Sequence, residues 1–105
     1  MATTNTEITI IQGDCDQRTF TIRNADGTAI AGIERVSFSS NRLSFCVVLD
    51  QKNETDFVMT LHEDVTEQFI TGRGTYDLLI VVGGCSITAL YRQPITVLRK
   101  ENLPC

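Results

Sequence analysis

The chain has 105 residues, a formal charge of −4 from 13 acidic and nine basic side chains, and four cysteines. That length fits one domain burying roughly two-thirds of the surface its unfolded form exposes, so a core can form without a disulfide framework. The acidic balance argues against a general nucleic-acid binder, the 42% apolar content against a disordered chain, and no apolar run approaches the ~20 residues that span a bilayer.

Ile, Val and Thr supply 32 of the 105 residues, while Ala contributes five and Lys two. Such stiff side chains suit a pleated surface better than a helix. Glu7 to Gln12 alternates, with Ile8 and Ile10 on one face, and Gly13-Asp14 breaks it. Arg18 to Arg23 alternates again, with Phe20 and Ile22 inward. Asn24-Ala25-Asp26-Gly27 reads as a turn, because Asp-Gly supplies the positive φ that tight turns need. After an irregular stretch around Gly32, Val36 to Phe38 begins a third strand and residues 39–42 bend. Leu43 to Leu49 is a fourth strand, with Leu43, Phe45, Val47 and Leu49 on one face. Asp50 to Asn53 turns the chain into a fifth, Asp56 to Leu61, with Phe57, Met59 and Leu61 inward.

The period then changes. Leu61, Val65 and Phe69 fall at i, i+4 and i+8, one face of a short helix, with Glu63 and Asp64 in its first turn and Gly72 and Gly74 ending it. Thr75 to Val82 is the most apolar run and reads as a central strand. Gly83-Gly84 makes a hairpin turn. Ser86 to Tyr91 and Ile95 to Leu98 form the last strands or one bulged strand, and Pro94 marks a bulge, an edge or a strand start. Six to eight short strands over about 95 residues predict an all-β fold: an immunoglobulin-like antiparallel β-sandwich with one short helix before a central strand. A small open barrel is the alternative. There is no Trp and no Cys…Trp…Cys pattern, so an antibody-type domain is not expected. The expected organisation is a loose N-terminus at 1–5, one sandwich domain over 6–100 and a short tail at 101–105.

Cys15, Cys46, Cys85 and Cys105 show no CxxC spacing, and His62 is the single histidine, so zinc and redox signatures are absent. Met1 to Thr6 lacks a basic start and an apolar h-region, which points to a protein made and used in a reducing cytoplasm with free thiols. With strands running alternately up and down, Cys15 lies at the same end as Cys105 and opposite Cys85. A Cys15–Cys105 approach is then open and a Cys15–Cys85 pair is not, although a bulged reading of residues 36–49 reverses that parity.

Asp14-Cys15-Asp16 offers two carboxylates but not the oxygen set calcium demands, and reads as a solvated turn. His62-Glu63-Asp64 lacks a nucleophile with a recognisable local signature, and Cys46 reads as a small hydrophobe on a strand. Neither glycine pair continues as a phosphate loop. Tyr76, after a short helix and a glycine, resembles the corner in which a tyrosine hydroxyl bonds upstream backbone. No cluster of titratable groups stands out, so the chain reads as non-enzymatic, with no catalytic residues, no cofactor and no metal.

The order of these features resembles small β-sandwich proteins of bacteriophage and prophage structural-gene clusters, and is similar to the N-terminal module of phage baseplate and tail proteins. The residues that carry the resemblance are Ile10-Ile-Gln-Gly-Asp14, then Phe20 to Gly27, Leu61-His-Glu-Asp-Val-Thr66, Gly74-Thr-Tyr-Asp77 and Pro94-Ile-Thr-Val97. Its "QGD", "DG" and "T…G.Y" elements single out Gly13, Asp14, Asp26, Gly27, Gly74 and Tyr76 as structural positions. The resemblance implies a non-enzymatic virion structural or assembly protein. Its partners would be other phage structural proteins or itself, with no nucleic acid and no membrane. Its location would be the host bacterial cytoplasm during assembly and then the virion. The alternative is a small binding module for surface adhesion or carbohydrate, although the usual stripe of exposed aromatics is missing.

Overall fold

In the computed structural model, which describes residues 7–99, the β-branched runs are strands in two facing sheets. The elements are β1 (Ile8–Ile11), β2 (Asp16–Thr21), β3 (Ile33–Ser40), β4 (Leu43–Val48), β5 (Asp50–Gln51), β6 (Asp56–Leu61), a helical turn α1 (Glu63–Thr66), β7 (Gly72–Val82) and β8 (Cys85–Leu98). One sheet has the order β1-β8-β7-β3-β4 and the other β2-β6-β5. That is the arrangement of an immunoglobulin-like sandwich: β2, β6 and β5 take the places of strands B, E and D, while β8, β7, β3 and β4 take those of G, F, C and C′. The pairings are antiparallel except at the edge, where β1 runs parallel to β8 with Ile8 opposite Ile95. The loose end at 1–5, the tail at 101–105 and Cys105, with its conceivable approach to Cys15, lie outside the described residues.

Strand alternation builds the core. Ile8 and Ile10 of β1, Phe20 of β2, Phe57, Met59 and Leu61 of β6, Tyr76, Leu78 and Ile80 of β7, and Ile95 and Val97 of β8 are all buried. Burying each large side chain contributes about 1.5–3 kcal/mol. An aromatic row ties the sheets together. The Phe38 ring stacks on Tyr76 at 5.2 Å, Phe20 meets Tyr76 edge-on at 6.3 Å from the opposite sheet, and Phe69 closes on Phe38 at 6.4 Å. The most apolar run, β7, lies in the middle of the larger sheet as expected.

Several details depart from the sequence pattern. The helix is one turn, because its apolar spacing is met by an adjoining turn rather than by further helix: Phe69 N–H donates to the Thr66 carbonyl, and Ile70 N–H is drawn to the Arg42 carbonyl. Gly72 and Gly74 consequently belong to β7 instead of ending the helix. Phe45 is 39% exposed, because a register shift between Phe38 and Ser40 interrupts the β3–β4 alternation; Cys46 is exposed as well. Residues 85–98 take the bulged-strand alternative, with two register shifts: Tyr91 and Arg92 together oppose Asp77, and Ala89 is the extra residue between the Leu78–Leu90 and Leu79–Thr88 pairs. Arg92 takes a φ of 49° there, and its N–H donates to Asp77 Oδ1 at 2.7 Å. Pro94 follows that bulge, one residue before β1 begins to pair with β8.

Candidate interaction surface

The "QGD" and "T…" elements meet in space. Thr66 in α1 is fully buried, and its hydroxyl accepts the Gly13 N–H at 3.0 Å and donates to the Asp14 carbonyl at 2.9 Å. Gln12 Nε2 donates to the Phe69 carbonyl at 2.7 Å. An isolated helical turn is unfavourable, and these bonds pin it to the loop after β1. The residues that look like a sequence signature are therefore a mechanical clasp.

Gly74 belongs to a second clasp at the same end. The turn between β3 and β4 reaches across to the start of β7. Asn41 Oδ1 accepts the Thr75 N–H at 3.0 Å, and Ser40 Oγ donates to the Thr75 carbonyl at 2.9 Å. The Arg42 guanidinium donates to the Arg73 carbonyl through Nη2 at 2.6 Å and Nε at 3.1 Å. A Cβ at position 74 would strike Asn41 Oδ1 and come within 2.8 Å of Arg42 Cγ, so only glycine fits. Asn41 and Arg42 escaped the sequence reading because their partners lie some 30 residues away, and no local pattern marks such a contact.

Asp26 and Gly27 lie at the other end, in a turn of their own. Gly27 takes a φ of 90°. Asp26 Oδ1 accepts from Thr28 Oγ1 at 2.6 Å and Thr28 N at 3.0 Å, and these bonds lower its pKa below the ordinary carboxylate value. Asp56, bonded by Asn53 and Thr21, is lowered for the same reason. Tyr76 is almost fully buried, and burial pushes its hydroxyl up to about 12 against a weaker downward pull from Arg18.

The residues considered for chemistry stay apart. Cys15, Cys46 and Cys85 are free and exposed, and His62 is an exposed residue at the start of α1 whose carbonyl accepts from Val65 and Thr66. Among the described residues, no three His, Cys, Asp or Glu side chains are grouped to hold a metal ion, and no helix is long and apolar enough to cross a membrane. An open depression of about 470 Å³ lies between residues 29–33 and Gln51 and Glu54.

The distinctive surface feature is a sheet edge. A sandwich has four outer strands, each with unpaired backbone groups that invite wrong pairing unless guarded. Three are guarded here. β1 has four residues and β5 two. β2 carries Asp16 and Arg18, an ion pair at 3.1 Å, and Arg18 Nη2 also donates to the Thr9 carbonyl of β1 at 2.7 Å. The fourth, β4, reads Leu43-Ser-Phe-Cys-Val-Val48, with no charge and no proline. Phe45 is 39% and Val48 58% exposed along it. Leu49 N–H donates inward to the Val36 carbonyl, so strand alternation turns the backbone groups of Val48 toward the open side; further along, a register shift places two extra residues in β4 between Leu43 and Val47.

Among the described residues, fold and surface together define an immunoglobulin-like sandwich with one unguarded edge strand. No family model matches the chain, and no curated protein matches it. Among solved structures it is similar to the crystal structure of domains 4 and 5 of the S-layer protein SbsC, with a TM-score of 0.53 and 16% identity, over 92% of this chain and 44% of that chain. The chain thus spans less than half the length of that structure, and the likeness concerns the fold alone.

Proposed function

We propose that the chain is a non-enzymatic structural or assembly module that acts through protein–protein contacts, as a component of a bacteriophage or prophage particle of the tail or baseplate type. The observation that carries this reading is the β4 edge, six uncharged residues with Phe45 and Val48 exposed. An open edge of this kind adds a strand from a partner through main-chain hydrogen bonds, while the alternate side chains set specificity. The two clasps at the opposite ends of β3 and β7 from the hairpin tip make the strand's frame rigid, and rigid elements suit repeated assembly. The phage setting comes from the sequence resemblance, whose clasp residues are Gly13, Asp14 and Gly74.

A second reading is a small binding module at a cell surface, for adhesion or carbohydrate binding. Its fold is shared with domains of an S-layer protein. Composition analysis of purified particles separates the two. Mass spectrometry of phage particles released from the host culture is expected to find the chain in fixed proportion to other particle proteins. Recovery in the cell-envelope fraction, with none in particles, would contradict the phage reading.

A further inference from the structure

We propose that Asp26 is a modification site, at which this chain isomerises spontaneously to isoaspartate at a rate set by the hydrogen bonds of its own turn; the inference is independent of the assembly reading above. Of the seven glycines, Gly27 is the one preceded by Asp or Asn, the residues whose side chains can close a five-membered ring on the next backbone nitrogen. The fold requires that glycine. Gly27 takes a φ of 90°, which other residues rarely adopt. Its N–H donates to the Asn24 carbonyl at 2.9 Å, and Asn24 N–H donates to the Thr28 carbonyl at 2.8 Å, which closes the turn. Asn24 to Thr28 are all exposed, and a Cβ at Gly27 would meet no atom within 4 Å. The turn thus sets an unhindered, solvent-accessible nitrogen directly after an aspartate.

The chemistry balances with water alone. The Gly27 nitrogen attacks Asp26 Cγ, a new N–Cγ bond forms, the nitrogen loses its proton and one carboxyl oxygen leaves as water. Water then opens the cyclic imide. Cleavage of the new bond restores aspartate. Cleavage of the original bond to the backbone carbonyl carbon leaves the chain running through Cβ and Cγ, one atom longer. The folded turn holds this back. Ring closure rotates the Asp26–Gly27 peptide and draws Gly27 N–H off the Asn24 carbonyl. Asp26 Oδ1 accepts from Thr28 N–H at 3.0 Å and from Thr28 Oγ1 at 2.6 Å, so the carboxyl is tied to the residue beyond the glycine. Those bonds also favour the ionised carboxylate, the form that a nitrogen attacks least readily. Asn24 Nδ2 braces the same hydroxyl at 3.2 Å and the Ala29 carbonyl at 3.3 Å. The reaction therefore runs through the opened turn, and its rate follows the population of that open form. The longer backbone of the product no longer matches the two main-chain bonds that close the turn, so the loop between β2 and β3 stays open once modified.

The test incubates the intact chain at neutral pH, both folded and in urea, and maps isoaspartate with a protease that cuts before aspartate but not before isoaspartate. Three proteins are compared: the wild type, Thr28→Val and Asn24→Ala, with thermal melting to confirm that each is folded without urea. Isoaspartate is expected at Asp26 ahead of every other aspartate, about tenfold or more slowly in the folded wild type than in urea. Thr28→Val removes the hydroxyl held by Asp26, and Asn24→Ala removes its brace. Each should speed the reaction in the folded chain about two- to tenfold, with the rate in urea unchanged. Equal rates in the folded and the urea-unfolded wild type overturn the inference, as does a folded-state rate indifferent to both variants. Isoaspartate that arises first at another aspartate, or at none, overturns it as well. Should a variant fail to fold, the comparison of folded and unfolded wild type still decides.

Discussion

Replacing Gly74 with alanine isolates the clasp between the β3–β4 turn and β7. The added methyl would strike Asn41 Oδ1 and lie 2.8 Å from Arg42 Cγ and 2.9 Å from its Nε. These atoms have little freedom, since Asn41 holds Thr75 N–H at 3.0 Å and Arg42 holds the Arg73 carbonyl at 2.6 Å. Overpacking of this kind costs about 1–3 kcal/mol, and each displaced hydrogen bond adds about 0.5–1.5 kcal/mol. The stiffer unfolded chain returns about 0.4–1 kcal/mol. The expected net loss is about 2–3 kcal/mol. For a domain of this size that lowers Tm by roughly 10–20 °C, read by circular dichroism and checked by urea titration. A second measurement tests the cause: combined with Asn41→Ala, Gly74→Ala should cost less than it does alone, because the nearest obstacle has gone. A Tm shift below about 2 °C, or strictly additive effects in the double variant, would refute the clasp.

Three further outcomes are expected. Phe20→Ala should cost about 3–5 kcal/mol, because the ring is buried between the sheets against Tyr76; a loss under about 1 kcal/mol in urea titration would place it outside the core. Thr66→Val should cost about 1–3 kcal/mol and speed amide exchange at Gly13, whose N–H the hydroxyl accepts; unchanged exchange at Gly13 would deny the clasp. Tyr76 gives an alkaline limit. Its pKa is about 12 in the folded chain, against an ordinary value of 10.0. Below pH 10 both states keep the proton and stability is intact. As pH rises further, the unfolded chain releases a proton that the folded chain retains, so stability falls, by about 2 kcal/mol at pH 12. Urea titrations from pH 9 to 12 should show this fall in the wild type and a much flatter profile in Tyr76→Phe; equal slopes would deny it.

Most of the sandwich was legible because it rests on local alternation. Ile8 and Ile10, Phe57, Met59 and Leu61, and the turns at Gly27 and Gly83-Gly84 all behave as their period or turn chemistry dictates. The misread positions depend on distant partners. The apolar spacing of Leu61, Val65 and Phe69 was real, but Arg42 captures Ile70 before a second helical turn can form. Phe45 alternates correctly in sequence, yet the register shift against β3 places two extra residues in its own strand between Leu43 and Val47, and it is exposed there. The bulge at Arg92 was open as an alternative, and its place depends on an Asp77 side chain across the hairpin. The open edge was hidden for a similar reason: an uncharged strand such as β4 reads as a core strand until the sheet order, among the described residues, places no strand on its outer side.

Amide hydrogen exchange measured at about 10 µM and at about 1 mM tests the β4 edge as the assembly surface most directly, because it reports protection residue by residue. The amide of Val48, which points to the open side, should exchange more slowly at the higher concentration, while those of Ile87 and Tyr91 on the exposed hairpin should not change. Exchange at Val48 that is independent of concentration, or protection gained at Ile87 and Tyr91 instead, would contradict assembly through β4.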